Sequence, residues 1–409
     1  MKLSRFAMQA FVLAAPLLAQ FQPVLPATAP RPLGPYSPGL WAQDYLYVSA
    51  PSPRDPAGRI PPDFDGQARQ VMENIKVVVE AAGLTMEHVV YTHVYLRDMA
   101  NYDALNRITA RYFPKAPPAR AVLGIAGLRD GALVDAKAVA VRHLHQKQPV
   151  HIPGLDSREP FTPGILTHDQ FYVSAMLGRD PATGQVPADP AAQVQLALDG
   201  MNRVLAAAGL DLRHMVFVNP FLTQKLPSGV MNDLYARHWK FGSAPARGTI
   251  FVVSLPHGAQ IEYTGVAVRD LTKREVIYPR NFKTSATASP CVRGNEWIYC
   301  SGKSGFITGV NGGIFHSDPG VQLRQSMRNL LDGLEEVGLD FRATVETTLY
   351  LDNIADYRKA EDVYKLYFEG PAPSQAALQQ IPPVERKEGP EGRWPGIEQL
   401  TLIAHKPAN

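Results

Sequence analysis

One unit is written three times along these 409 residues, and that repetition restricts the fold more than any other feature. The phrase PPARAVL at 117–123 returns as APARGTI at 244–250 and, altered, as APSQAAL at 372–378. Arg120 and Arg247 are 127 positions apart, and Arg247 and Gln375 are 128 apart. Gly83, Gly209 and Gly338 follow with offsets of 126 and 129. Other landmarks keep the same order. YLYVSA, FYVSAM and WIYCSG end at Ser49, Ser174 and Ser301, and each precedes a helical stretch that closes on a glycine. A near-constant offset over several landmarks marks triplication, and each copy is one domain in length.

Within the first copy Val71, Ile75, Val78, Val79 and Ala82 recur at helical spacing, and Gly83 stands where a helix C-terminus is capped. VVYTHVYL is rich in β-branched and aromatic residues and reads as a strand. NYDALNRITARYF reads as a second helix. The order β–β–α–β–α–β predicts an α+β unit, a sheet with two helices on one face. Polar, Pro-containing stretches near 143–160 and 270–285 read as linkers. The domains expected are 30–145, 155–272 and 282–407, the last one degenerate.

The first 29 residues differ. MKLSR is basic, FAMQAFVLAAPLLAQF is nearly uncharged, and PVLPATAP offers small residues for cleavage near Ala27. These are the parts of a secretory signal peptide, which predicts a periplasmic or secreted protein with no membrane span after cleavage; a retained anchor is the alternative. The net charge of +3 comes with no basic–aromatic stripe, which argues against a nucleic-acid partner. Cys291 and Cys300 are too few for a disulfide scaffold. Two buried free thiols are the first expectation, and a pair across a hairpin the second. His143, His145 and His151 have no cysteine or acidic cluster nearby, so no metal is expected.

GPYSPGL at 34–40, the VSA after it, AAGL after the first helix and PPARAVL together resemble the RidA (YjgF/YER057c/UK114) family of reactive-intermediate deaminases. The first copy matches best and the third least. The resemblance implies chorismate-mutase-like units that line a barrel-like trimer with their sheets, here as an intramolecular pseudo-trimer in a monomer. It implies hydrolysis of small 2-imino or 2-enamino acids at clefts between units, with no cofactor, and a small carboxylated metabolite as the partner. A non-catalytic carboxylate-binding or assembly module is the alternative.

Residue by residue, the resemblance implies that Arg120 and Arg247 hold the substrate carboxylate with a planar fork of donors. Tyr36 matches the tyrosine of the GPY motif, and Phe161 and Ala288 replace it in the later copies. Asn106 and Asn232 lie on the second helices, Val122 and Thr249 offer backbone N–H groups, and Ser49 ends the second strand. Gln375 and Glu361 make the third copy a wall. One departure stands out. The family's water-orienting glutamate falls at Lys137, Thr264 and Leu400, while Asp135, Glu262 and Glu398 lie two positions earlier. Lys137 is expected to be a solvated strand residue or a second cation for the ligand.

Overall fold

The computed structural model describes residues 21–152, 159–309 and 311–406. The first unit contains β1 (Phe21–Val24), β2 (Gly39–Ala42), β3 (Tyr45–Val48), α1 (Phe64–Ala81), β4 (Val89–Leu96), α2 (Tyr102–Tyr112), β5 (Ala119–Gly124), β6 (Gly127–Leu128) and β7 (Val134–Val141). The second contains β8 (Gln148–Val150), β9 (Gly164–Leu166), β10 (Gln170–Leu177), α3 (Pro190–Ala207), β11 (Met215–Thr223), α4 (Ser228–Ala236), β12 (Ala246–Arg247), β13 (Ile250–Val252) and β14 (Ile261–Val268). The third contains β15 (Arg274–Ile277), β16 (Cys291–Gly294), β17 (Trp297–Lys303), α5 (Pro319–Glu335), β18 (Thr344–Leu351), α6 (Tyr357–Tyr364), β19 (Ser374–Gln379) and β20 (Glu398–His405).

The first sheet runs β1-β2-β3-β7-β4-β5, and the other two repeat this order. The long helices start where the sequence supplies a cap. Asp63, Asp189 and Asp318 accept hydrogen bonds from first-turn N–H groups, with Pro190 and Pro319 at the first helical position of α3 and α5. They end before Gly83, Gly209 and Gly338, whose φ values of 78°, 74° and 72° suit the left-handed cap. Their apolar stripes, such as Val71, Ile75, Val78 and Val79, are buried against their own sheet.

Two expectations about boundaries change. The linkers supply outer strands: β8 pairs with β9 and β15 with β16. These strands are short, and β8 is mostly exposed, so no alternation of apolar residues announces them. The first sheet also takes in β1, paired Phe21↔Ala42 to Val24↔Gly39, inside the segment read as a leader. The rest of that leader, residues 1–20, lies outside the described residues. A cut after Ala27 would remove β1 from the sheet.

The three units close on one another. Gly124 N–H donates to Ser254 O at 2.9 Å, Ile381 N–H to Phe251 O at 2.8 Å, and Ala126 N–H to Gln379 O at 3.1 Å. These join units one to two, two to three and three to one. Gly124 is required at its junction, because a Cβ there would lie 2.2 Å from Ser254 Oγ. The faces of the sheets turned away from the helices share one core in which Tyr47, Tyr172 and Tyr299, equivalent residues of the three copies, are all buried. Tyr91 and Thr264 hydroxyls meet there at 2.6 Å, and His93 Nε2 lies 2.7 Å from Tyr91 Oη.

Lys137 belongs to this centre. It is not solvated and does not face a ligand cleft: its Nζ donates to Glu346 at 2.5 Å and to Thr348 Oγ1 at 3.0 Å. Cys291 and Cys300 face each other on β16 and β17 and are disulfide-bonded, so the expectation of free thiols is corrected. The pair was hard to foresee because nothing in the spacing distinguishes a cross-strand pair from two core thiols. Gly333 of α5 packs over this bond; a Cβ there would lie 2.6 Å from Cys291 Sγ.

Candidate functional site

Three equivalent clefts lie between the units, and one hydrogen bond recurs in each. Arg120 N–H donates to Ser174 Oγ at 2.8 Å, Arg247 N–H to Ser301 Oγ at 2.8 Å, and Gln375 N–H to Ser49 Oγ at 2.9 Å. Each residue of the repeated phrase is therefore set by the next unit in the cycle. In the first two clefts the arginine reaches its own second helix. Arg120 Nη2 donates to Asn106 Oδ1, and Arg247 Nη1 to Asn232 Oδ1, both at 2.8 Å.

The strand register decides which closing-strand residue faces each cleft. Tyr95↔Asp135, Phe221↔Glu262 and Tyr350↔Gln399 are equivalent pairs. The third position is Gln399, not Glu398. Leu400 lies in the third unit's own core beneath α5, so it does not occupy the place expected for it. Glu398 also faces α5, where Ser326 Oγ donates to it at 2.5 Å. Thr264 is likewise committed, to Tyr91 and to the carbonyl of Val173. Residues 135, 262 and 399 are the ones aimed at clefts.

Arg120 is buried in the first cleft. Its guanidinium carbon lies 5.3 Å from the Phe161 ring centroid and 5.7 Å from that of Tyr102. Glu262 of the second unit is fully buried and senses this guanidinium. Desolvation pushes its carboxyl well above the usual range, and Arg120 opposes that rise. Neither carboxylate oxygen of Glu262 meets a hydrogen-bond donor among the described residues. Burial also lowers the Arg120 guanidinium, with Tyr102 and Glu159 acting the other way. Glu159 covers the cleft: Arg120 Nη2 lies 3.8 Å from its carboxylate, Tyr102 hydrogen-bonds to it, and His257 Nε2 is 2.6 Å from it. Burial favours its neutral form, but the His257 and Tyr102 hydrogen bonds and the Arg120 charge win, and its carboxyl lies below the usual range. An internal carboxylate thus stands beside the group expected to hold a substrate carboxylate.

The second cleft is open. A cavity of about 270 Å³ is lined by Arg247, Thr249, Ser301, Lys303 and Gln399, among others. The strand carrying Arg247 breaks at Gly248–Thr249 between β12 and β13, where β5 is continuous. The Asn219 side chain donates to the carbonyl of Gly248 at this break. Gln399 Nε2 donates to Thr249 O at 3.0 Å. The third cleft is filled from within. Arg129 of the first unit lies 5.2 Å from both the Tyr36 and Tyr357 ring centroids. It donates to Ala50 O and Tyr357 Oη and lies 3.8 Å from Asp135. Tyr357 in turn donates to Gln375.

The profile of the family described as Endoribonuclease L-PSP matches this chain three times, over residues 26–142, 152–269 and 280–383. The chain belongs to that family. Its units are similar to a RutC family protein of Pyrococcus horikoshii, 38% identical over 116 residues, which is 28% of this chain and 92% of the relative. A RutC family protein of Saccharolobus solfataricus is 38% identical over 114 residues, 27% of this chain and 90% of the relative. The crystal structure of RidA from an Antarctic Psychrobacter is 31% identical, covering 29% of this chain and 98% of that one, with a TM-score of 0.29. The RidA-type resemblance read from the sequence is borne out by the family and RutC matches, and the α+β class by the family and the observed strands and helices.

In this L-PSP chain the residues picked out from sequence divide among the clefts. Arg120 comes together with Asn106, and Arg247 with Asn232 and Thr249. Tyr36 and Ser49 stand at the third cleft with Gln375 and Glu361, away from both arginines of the repeated phrase. The Val122 side chain is part of the first unit's own core. Glu159, Arg129, Lys303 and Gln399 were missed, because each reaches its cleft from another copy and no local spacing reveals that.

Glu398 carries a pH signature. Burial pushes its carboxyl from 4.5 to about 8, with the Ser326 hydrogen bond opposing. The folded chain therefore holds a proton that the unfolded chain has released, and this contribution to stability is full below 4.5 and lost as pH rises towards 8. Glu398→Gln is expected to remove a slope of about 1.4 kcal/mol per pH unit in that window, read by urea unfolding at pH 5 and pH 8.

Proposed function

We propose that this chain is an exported RidA-like hydrolase that converts small 2-imino and 2-enamino carboxylic acids to 2-oxo acids and ammonia at its first cleft. The reading rests on one observation above all: Arg120 of one unit and Glu262 of the next are both buried and close enough for each charge to act on the other. Arg120 supplies charged, forked donors for the substrate carboxylate, and Asn106 fixes the fork. Glu262 is suited to proton transfer because burial pushes its carboxyl well above the usual range and so favours the protonated form. The protonated acid gives its proton to the enamine carbon, which yields the iminium ion. The carboxylate left behind takes a proton from water as that water adds to the iminium carbon. As the carbinolamine collapses, Glu262 gives its regained proton to the nitrogen and takes the hydroxyl proton, so that the C–N bond breaks, ammonia leaves and the 2-oxo acid remains. Three units closed into a pseudo-trimer within one chain would make this site from two different copies.

The disulfide between Cys291 and Cys300 supports an oxidising compartment and so supports export. Among the described residues no helix is long and apolar enough to cross a membrane. The test is release of 2-oxo acid from freshly generated 2-aminoacrylate. Arg120→Ala is expected to lower kcat/KM by roughly 100-fold or more, the scale of two charge-assisted hydrogen bonds. An unchanged value would overturn the role given to Arg120.

In the second reading, carboxylate binding without hydrolysis, Arg120 holds a carboxylate, and Glu159, 3.8 Å from it, is an internal one. The two readings part on one variant. If the cleft is catalytic, Glu159→Gln removes an internal competitor and lowers KM about three- to tenfold, the worth of one net hydrogen bond, in a steady-state assay.

A further inference from the structure

Two of the differences between the second cleft and the first make it more positive. Gln399 takes the place of Glu262, which removes the buried carboxylate. Lys303 stands two residues after Ser301, where Met176 and Pro51 follow Ser174 and Ser49. Lys303, Arg247 and the exposed Lys283 line the same cavity of about 270 Å³. Among the described residues no carboxylate lines that cavity. Arg247 is held by the neutral Asn232 and lies 5.5 Å from the Tyr235 ring centroid. The Lys303 ammonium rests 4.4 Å from the centroid of Phe282. Among the described residues neither cation forms an ion pair. Half-buried cations without counter-ions are costly, and a ligand that brings negative charge removes that cost.

We propose that the second cleft binds a small dicarboxylate, one carboxylate on Arg247 and the other on Lys303. The inference rests on the reading of Arg247 as a carboxylate holder, and it adds the second anionic group. The cavity is smaller than the ~300–1,000 Å³ typical of sites for drug-sized ligands, which fits a short acid. Burial lowers the Lys303 amine to about 8, so most of it keeps its charge at pH 7. Thr249 Oγ1 is buried without a partner on the cavity wall and can donate to a bound oxygen. With no carboxylate at position 399, this cleft is a binding site and does not repeat the proton transfers of the first.

Calorimetric titration of the full chain carrying Arg120→Ala, which silences the first cleft, tests this. The probes are glutarate, butyrate and inorganic phosphate at pH 7. Glutarate is expected to bind at least about tenfold more tightly than butyrate, the scale of one charge-assisted hydrogen bond. Lys303→Met should abolish that preference and leave butyrate within about threefold of its starting affinity. Addition of Arg247→Ala should weaken both acids by about tenfold or more. Equal affinities for the two acids, or a preference that survives Lys303→Met, would overturn the dicarboxylate assignment while leaving Arg247 as a carboxylate holder. Binding of neither acid would overturn both. Phosphate binding as tightly as glutarate would replace the dicarboxylate with a compact anion and overturn the assignment too. None of these readouts depends on turnover at the first cleft.

Discussion

Glu262→Gln is expected to lower kcat for 2-aminoacrylate hydrolysis by roughly 10²–10⁴-fold with little change in KM, because it removes proton transfer and leaves the Arg120 fork in place. The substitution is nearly isosteric and deletes a titrating group whose oxygens have no hydrogen-bond partner among the described residues, so the fold should tolerate it. Burial holds the Glu262 carboxyl well above its usual range, and the protonated form is the one that starts the reaction. The parent rate should therefore persist at pH values where an ordinary carboxyl is already ionised, and fall on the alkaline side as Glu262 loses its proton. Steady-state kinetics of parent and variant across pH would show this. A variant with the parent's kcat would assign the proton to another group.

The second large effect is on stability. Lys137 and Glu346 come from different units and are buried between the sheets, with side chains 12% and 7% exposed. Lys137→Met leaves the Glu346 carboxylate buried without its cation, and is expected to cost about 3–5 kcal/mol in urea unfolding. Glu346→Leu should cost a similar amount for the mirror reason. The double variant should recover most of that loss, since a buried pair exchanged for apolar groups is close to neutral. Additive losses in the double variant would mean that packing, not charge, sets the cost. The prediction bears on function because this pair helps fix the units whose edges form the clefts.

The triplication could be read directly from the chain. Constant offsets between Arg120, Arg247 and Gln375 survive divergence because each residue makes the same backbone contact to the serine of the next unit. The helices could be read as well, from apolar spacing and closing glycines. The closing-strand carboxylate could not. Residues 380–397 before β20 form a longer connection than its counterparts and hide the alignment, so Glu398 looks like the partner of Glu262 by residue type. Only the ladder shows that Gln399 holds that place, with a one-residue slip moving a side chain to the other face. Lys137 reads from sequence as a solvated residue or a second cation for the ligand, since the Glu346 that buries and pairs it is more than 200 residues away in sequence. The cleft residues Glu159 and Lys303 were invisible for the same reason: each shares a cleft with an arginine of a different copy.

The most direct measurement is the rate of ammonia and 2-oxo acid release from freshly generated 2-aminoacrylate in the presence of the unaltered chain. The account predicts acceleration above the spontaneous hydrolysis, proportional to protein and lost in Arg120→Ala. A rate equal to the protein-free rate, with Arg120 and Glu262 both intact, would contradict it.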